Sequence, residues 1–580
     1  MIIAFPNLEG LFFTKGRCVM SQGTEATIQS GKQEKRTERL LNTRPMFLMA
    51  LYLILGIFFA YLQAVEGYTA WWILLLLLLP SLLFFFLKNK LRAAVTAFLL
   101  CLLFAFGYFS FSFQIVSFRH ATAYQGTHVV TGRVIEKEEM ENGHALLLDG
   151  IKVDGVAENG KMIAYLVSPY SDSIHLLDEI ETQILITENV ELSGAYGFRA
   201  EEIADDVRFV GNNAQSVQVV DSSFGLGKFL RERMTETLFM HMDKQTAAVT
   251  VAMLFGDTSS MESGLLENVR YGGIAHIFAV SGLHVGAVFM ACSLLFRSNR
   301  LPKLLRFLFV AVLLFFYGDM CGFSASIIRA IVTCLTLYAC KLLGWKYDGL
   351  ESLSLAAILV FGVYPTLLFG IGAQLSFAAC LGIVLLKRNV EDGLEWAVTG
   401  VETFVIEKLL RKKREKQEID VFAGDAPPIS LYAQAKRSVC SYAAVSFSAQ
   451  LFTIPLLYSA FGYFSPVSFL LNLVFVPVVT SIFCVLLLFV LVAAFFSSGV
   501  STVILYLPNV VWSVLLLMFE TADFTSLSLS NFAWGGSGAV TWYASVTILS
   551  DKFNLTKRER IFAFFLFFSA FVATMVAMNI

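Results

Sequence analysis

The sequence predicts a polytopic α-helical membrane protein of about 13 spans with a small exported β-rich, OB-like domain. Hydrophobic residues make up 57% of the 580-residue chain, whereas soluble domains contain about 45–50%. The apolar runs at 71–87 and 561–578 are as long as a transmembrane helix, which needs roughly 17–25 residues. Between 117 and 227 the pattern changes to the period-two alternation that is typical of β-strands.

The N-terminal part is predicted to hold a leader and three membrane spans. The leader (1–45) is polar and basic, and a basic turn, KNKLR (88–92), separates two of the apolar segments that follow it. Lys and Arg collect on the cytoplasmic side of short loops, so we expect a cytosolic N-terminus and a third span that exits the membrane. The three segments fill 46–116 and lie at about 46–64, 69–87 and 93–116.

Residues 117–227 are predicted to fold outside the membrane as a small barrel or sandwich, with an OB-like barrel among the options. Runs such as HVVTGRVIEKEE and KMIAYLV alternate apolar and polar residues, and Asn142–Gly143 between two such runs is a hairpin signal. The segment contains 18 acidic and 7 basic residues. A domain with this balance repels nucleic acid at long range. Either a local basic patch around Arg119, Arg133, Lys137 or Lys152 is sufficient for DNA binding, or the domain is a structural or gating element, which is what we expect.

The remainder, 228–580, is predicted to begin with a polar helix around 228–245 and then to re-enter the membrane several times. The basic segments 297–303, 387–438 and 552–560 all fall on the cytoplasmic side of the resulting topology, which places the C-terminus outside the cytoplasmic membrane. We expect 387–438 to be a mobile cytosolic loop. The candidate spans lie near 276–296, 304–317, 326–344, 350–365, 366–386, 439–460, 466–496, 503–519, 536–549 and 561–578.

Four clusters of polar and small residues interrupt these apolar segments, at 254–286, 322–330, 364–382 and 448–477. Ionisable groups within a membrane are costly and face a bundle interior or a water-filled cavity. Together the clusters indicate a polar pathway enclosed by helices. Taken singly, a residue such as Gln374 or Asn472 is also explained by a hydrogen bond between helices, and for Arg329 snorkelling to the membrane surface competes with pathway lining.

Metal binding and hydrolysis are weaker explanations of HIFAVSGLHVG (276–286). On a continuous helix His276 and His284 lie about 12 Å apart along the axis, so one ion cannot reach both without a break in the helix. No other ligand-spaced set of residues supports a metal or another cofactor. The nine cysteines fit packing roles, since they form no CxxC pair.

Two other function classes remain as alternatives. A serine hydrolase using Ser281 and His284 would need an acid, for which Asp257 or Asp319 could serve, and GFSAS (322–326) lacks the second glycine of a nucleophile elbow. A small-solute transporter would be favoured by inverted repeats, and no convincing internal repeat is visible.

The ordered series LFGD, HIFAVSGLHVG, GFSASIIRA and GAQLSFAACLG, followed by Gln450 with Pro455 and Asn472 with Pro477, resembles the ComEC family of DNA-internalisation proteins. The resemblance covers roughly 228–548, and the three initial spans with an exported domain are similar as well. It implies a non-enzymatic channel of the inner membrane that imports single-stranded DNA during natural transformation. The motif residues that it assigns to the DNA pathway are Asp257, His276, Ser281, Gly282, His284, Ser324, Ser326, Arg329, Gln374, Ser376, Gln450 and Asn472.

The chain departs from this family in two respects. One is the acidic excess of residues 117–227 described above, and the other concerns a further domain. Many members continue into a metallo-β-lactamase-like domain, but this sequence reaches Ile580 without a zinc-hydrolase signature. We therefore expect a natural short form or a truncated chain, with any nuclease a separate protein. No P-loop is present, so the expected partners besides DNA and membrane lipid are a cytosolic ATPase and an external DNA receptor. The basic segments 297–303 and 408–416 are candidate docking surfaces or ordinary topology signals.

Overall fold

A computed structural model shows a largely helical chain with one β-barrel. Helices α1–α5 run over Pro45–Val65, Lys90–His120, Leu226–His241, Lys244–Phe255 and Ser263–Tyr271. Helices α6–α10 run over Gly282–Leu295, Lys303–Met320, Ala325–Leu343, Gly349–Val363 and Ile371–Arg414, and helices α11–α15 over Leu431–Phe461, Ser468–Ala493, Ser498–Thr521, Gly536–Ile548 and Lys557–Asn579. The structure describes residues 44–65, 90–120, 124, 126–140, 143–158, 160–167, 174, 178–187, 207–221, 226–295, 301–414, 431–496, 498–521, 529–530, 536–550 and 557–579.

Seven helical segments among the described residues are long and apolar enough to cross a membrane. Helices α1 and α2 cover the predicted first and third spans, whereas the predicted span at 69–87 lies outside the described residues. Two further apolar helical segments, Gly349–Val363 and Gly499–Ser513, are shorter. The total of 13 spans therefore stays a prediction. The seven segments are Pro45–Ala64, Val95–Ile115, Ala275–Leu295, Ala325–Leu343, Ile371–Glu402, Lys436–Phe461 and Ser468–Ala493.

The predicted β-rich domain is a closed five-stranded barrel with a small sixth strand. Going round the barrel, the order is β1–β5–β6–β4–β2 and back to β1, and β3 pairs with β2. All neighbours are antiparallel except β4 and β6. Apolar residues of the five barrel strands fill the interior, whereas both residues of β3 are exposed. The strands are β1 Gly126–Met140, β2 Gly143–Val153, β3 Val156–Ala157, β4 Lys161–Val167, β5 Glu179–Thr187 and β6 Val207–Asp221; β7 Tyr463–Phe464 and β8 Leu529–Ser530 form a separate pair.

The hairpin predicted at Asn142–Gly143 is confirmed by the pairing of β1 and β2, in which Met140 lies opposite Gly143. A second tight turn joins β2 and β3. Asp154 and Gly155 both have positive φ there, at 49° and 82°, which is the conformation that a two-residue hairpin turn with Asp-Gly adopts.

The segment 387–438, which was expected to be a mobile loop, is helical wherever the structure describes it. Helix α10 continues through this segment to Arg414, and α11 begins at Leu431. The two helices are joined by ion pairs, with Lys436 Nζ 2.5 Å from Glu402 Oε2 and Arg437 Nε 3.6 Å from Glu395 Oε1. Charges of both signs therefore support helix pairing here, where they had suggested a mobile loop.

The chain forms two compact units. The larger unit comprises Arg44–Phe377 and Ser465–Ser528, and the described part of the smaller unit lies within Ala378–Phe464 and Leu529–Ile580. One core of the larger unit packs α1 and α2 against α9 and the start of α10. In the smaller unit α14 packs on α10 and α11 through Trp542, Tyr543 and their neighbours.

Candidate polar pathway

Arg329 is the centre of the candidate site. It lies in the second turn of α8 and only 6% of it is exposed. Its Nε donates a hydrogen bond to Ser376 Oγ at 2.9 Å, and Ser376 Oγ donates in turn to Ser326 Oγ at 2.9 Å. The guanidinium carbon also lies 6.0 Å from the ring centre of Phe377. A residue of α10 thus fixes the orientation of a buried cation on α8.

Gly282 brings a third motif to the same place. It is the first residue of α6, and a Cβ atom placed on it would lie 2.6 Å from Arg329 Nη2. Only a residue without a side chain allows the guanidinium to approach the backbone this closely. The motifs around 282, 326–329 and 376, which are far apart in sequence, therefore meet at one guanidinium.

The predicted span at 276–296 is interrupted within HIFAVSGLHVG. A short 3-10 turn covers Ala275–Ile277, and α6 begins only at Gly282. The assumption of a continuous helix, which set the separation of His276 and His284, is wrong here. Among the described residues no group of three metal-ligating side chains could hold a metal ion.

Ser281 acts as a local cap at this break. Its Oγ accepts a hydrogen bond from Leu283 N at 3.3 Å, and its backbone N–H donates to His284 Nδ1 at 3.1 Å. His284 therefore binds the backbone of Ser281, whereas a hydrolase would need it to bind the hydroxyl. This arrangement stabilises the first turn of α6, whose N–H groups lack helical partners.

Helix α12 packs against the segment that contains Gly273 and His284. The ring of His284 lies 4.6 Å from that of Phe483, and a Cβ atom on Gly273 would lie 2.5 Å from Ser468 Cβ. Asn472 is on the same face of α12, one turn after Ser468, and is 8% exposed. The fourth predicted cluster is therefore partly in contact with the first.

Asp257 belongs to a different cluster. Its Oδ2 lies 3.1 Å from Nη2 of the buried Arg231, and its Oδ1 accepts hydrogen bonds from the N–H and the hydroxyl of Ser259. Arg231 Nη1 also donates to the Met320 carbonyl, at 3.3 Å. Asp257 thus links α3 to the loop after α4, and both its oxygens are occupied by groups other than His284. The other candidate acid, Asp319, lies against Gly227.

The remaining predicted residues have local roles or lie elsewhere. Gln374 Nε2 donates to the Leu368 carbonyl at 3.1 Å, at the end of a 3-10 turn, and Ser324 precedes α8 at an exposed position. Gln450 lies in the smaller unit, where its Nε2 donates to Ser446 Oγ at 3.0 Å. His276 is exposed.

Sequence reasoning missed the residues that compensate for Pro455. A proline within a helix cannot donate to the carbonyl four residues earlier, which here is that of Leu451. Trp542 Nε1 of α14 donates to this carbonyl at 2.8 Å, and Tyr543 Oη donates to the next one, of Phe452, at 2.8 Å. Pro455 itself was the available signal, because a proline in an apolar helix leaves a carbonyl that requires another hydrogen-bond donor.

Comparison with known proteins identifies the family. A family model described as "Competence protein" matches residues 253–550, which is just over half of the chain. The chain belongs to the competence protein family. The resemblance to the ComEC family that the motifs indicated is thereby confirmed. With seven apolar helical segments, this competence protein is a multi-pass membrane protein.

Three relatives of this competence protein cover parts of it. ComE operon protein 3 of Bacillus subtilis (strain 168) is 26% identical over 243 residues, which are 42% of this chain and 25% of the relative. Competence protein ComA of Neisseria gonorrhoeae is 30% identical over 164 residues (26% and 23%), and an uncharacterized protein of Aquifex aeolicus (strain VF5) is 30% identical over 168 residues (28% and 38%). The matches thus span less than two fifths of each relative. No solved structure matches the chain.

Proposed function

We propose that this competence protein forms a conduit that carries single-stranded DNA across the cytoplasmic membrane during natural transformation. The observation that supports it best is the meeting of three separate motifs at the buried guanidinium of Arg329. The family name and the name of the Neisseria gonorrhoeae relative both refer to competence, which is the context in which DNA import is expected.

The chemistry of the site suits a polyanion. Every nucleotide carries a phosphate charge that cannot enter hydrocarbon, so transport requires a polar path with cationic contacts. Arg329, Ser326 and Ser376 lie within the first two turns of α8 and α10, and Gly282 begins α6. The N-terminal ends of helices carry partial positive charge. None of these groups reads a base, so binding would be indifferent to sequence, as transport of arbitrary DNA requires.

Charge variants of Arg329 test this proposal. In a deletion strain complemented with each variant, Arg329→Glu should reduce the intracellular arrival of labelled single strands by roughly 10- to 150-fold, because a charge-assisted hydrogen bond contributes about 1.5–3 kcal/mol. Arg329→Lys keeps the charge and should retain more uptake. Arg270→Glu, at an exposed arginine in the last turn of α5, is the control. Equal uptake by the two Arg329 variants would contradict a phosphate-facing role.

We propose a conduit rather than an enzyme at this site. The serine hydrolase alternative has less support, because the Ser281 hydroxyl accepts from Leu283 N and the Asp257 carboxylate is held by Arg231. Ser281→Ala should preserve uptake, whereas a bulky residue at the same position should block it. Loss of uptake in the alanine variant at normal protein level would favour the hydrolase.

The barrel is proposed to be of the OB type, since five strands close with a single parallel pair, β4 with β6. Because acidic residues outnumber basic ones in 117–227, we propose a structural or gating role for the barrel. Filter binding of single strands to the barrel is the test, and micromolar affinity at physiological salt would contradict this role.

The charge pattern supports a cytosolic N-terminus and an external C-terminus. A cytosolic ATPase, an external DNA receptor and a separate nuclease remain proposed partners. A small-solute transporter is the remaining alternative, and uptake of labelled DNA by the wild type, compared with the deletion strain, separates it from the conduit.

A further inference from the structure

Two membrane helices bury polar side-chain atoms that have no hydrogen-bond partner. Among the described residues these include Ser441 Oγ and Ser448 Oγ of α11, Ser465 Oγ just before α12, and Asn472 Oδ1 in its second turn. Both serines of α11 are fully buried, and Ser465 and Asn472 are at least nine-tenths buried. A buried polar group without a partner is destabilising, and all the more so where no water is present.

The two serines of α11 differ from ordinary serines and threonines in membrane helices. Such side chains normally bond a carbonyl of the preceding turn, as Thr480 does to Val476 and Thr453 to Gln450. Ser441 and Ser448 make no such bond. Residues seven apart lie on one face of a helix, two turns from each other, so both hydroxyls point to the same side of α11.

Close packing explains why these groups are shielded from water. On α10, a Cβ atom placed on Gly382 would collide with the carbonyl oxygen of Ser448, so α10 and α11 are in close contact at this point in the smaller unit. In the larger unit, Ser468 meets Gly273 one turn before Asn472. At each place a glycine allows the two segments to pack closely enough to shield the nearby polar atoms from water.

We infer that Ser441, Ser448, Ser465 and Asn472 line water-filled surfaces of the conducting conformation, and that the present structure is a closed one. This inference rests on the proposed conduit function. In the open state, water and the hydrogen-bonding groups of the passing strand satisfy the four side chains. In the closed state they remain buried at the expense of stability, which keeps the open state accessible.

Substituted-cysteine labelling tests the inference on the full-length protein in cells, with the native cysteines replaced. A membrane-impermeant thiosulfonate should label Asn472→Cys and Ser448→Cys at least tenfold faster than Leu470→Cys and Val439→Cys. The control positions are large apolar residues on the outer sides of the same helices, 67% and 56% exposed. Active DNA uptake without faster labelling at 472 and 448 would overturn the inference.

The labelling result is separable from the function itself. If Asn472→Cys is labelled but the adduct leaves the arrival of labelled single strands unchanged, the water-filled surface is supported and the DNA conduit is contradicted. If uptake proceeds while the cysteines at 448 and 472 stay unlabelled, the conduit stands and the inference fails.

A second measurement in the native background needs no cysteine replacement. Ser448→Ala removes a buried unsatisfied hydroxyl, so it should raise the Tm of the purified protein and lower uptake. Ser352→Ala is the matched control, because Ser352 is also buried with an unpartnered Oγ but lies on α9, which packs against α1 and α2 and holds none of the predicted pathway residues. It should raise the Tm without changing uptake. A higher Tm with unchanged uptake in both variants would assign Ser448 a packing role only and overturn the inference.

Discussion

Gly282→Ala should displace the Arg329 guanidinium and impair DNA uptake while leaving the fold intact. The new Cβ would lie 2.6 Å from Nη2, and no Cβ contact is that short, so the flexible guanidinium has to move. Losing its hydrogen bond to Ser376 costs about 1.5–3 kcal/mol. Alanine recovers about 0.5–1 kcal/mol through its helix propensity. The net cost is therefore roughly 0.5–2.5 kcal/mol. If this cost weakens phosphate binding, the affinity for phosphate falls by about 2- to 70-fold.

The assay compares labelled single-strand arrival and thermal unfolding for Gly282→Ala and Gly264→Ala. Gly264 is also in the first turn of a helix, but a Cβ atom on it meets nothing within 4 Å. The control should keep wild-type uptake and gain a little stability. If the two variants behave alike in both measurements, the close approach of Arg329 to α6 has no role in uptake and the reasoning fails.

Three further predictions concern other parts of the chain. Trp542→Phe leaves the proline-freed carbonyl of α11 without its donor and should cost about 1–3 kcal/mol in detergent unfolding; an unchanged Tm would mean that another donor takes its place. Asp257→Ala leaves Arg231 buried without its carboxylate and should cost about 3–5 kcal/mol; adding Arg231→Met should recover most of it, and no recovery would contradict the pairing. The pKa of Asp154 is lowered by a hydrogen bond from His128 and by a backbone N–H, so its contribution to barrel stability is present above about pH 4. It should disappear as the pH falls through the lowered value, and hydrogen exchange of barrel amides should lose this dependence in Asp154→Asn.

The apolar helices and the barrel strands were predictable because their signals are local. A run of apolar residues fixes a span by its length, and alternation fixes a strand by its period. The length of α10 was not predictable in this way. Its continuation to Arg414 depends on contacts with α11, such as Lys436 with Glu402, and a sequence does not show which helix another one will pair with.

The candidate site was predictable as a set of residues, whereas its geometry was not. Polar residues in apolar segments indicated Arg329, Ser376 and Gly282, but Arg329 is 47 residues from Ser376 in sequence. Only the fold brings them together. The break before α6 was similarly hidden, because Ser281 and Gly282 fit both a continuous helix and a helix start. Residues such as Arg231, which hold Asp257, lack any motif and stand out only through their burial.

Photo-crosslinking during uptake tests the central claim most directly. A photoreactive amino acid at Ser326, within hydrogen-bonding distance of Ser376 beside Arg329, should capture labelled single-stranded DNA in cells that are importing it. The same amino acid at Leu304, 67% exposed on α7, should capture none. DNA crosslinked at 326 and absent at 304 is the result that the conduit predicts, and active import with no crosslink at 326 would contradict it.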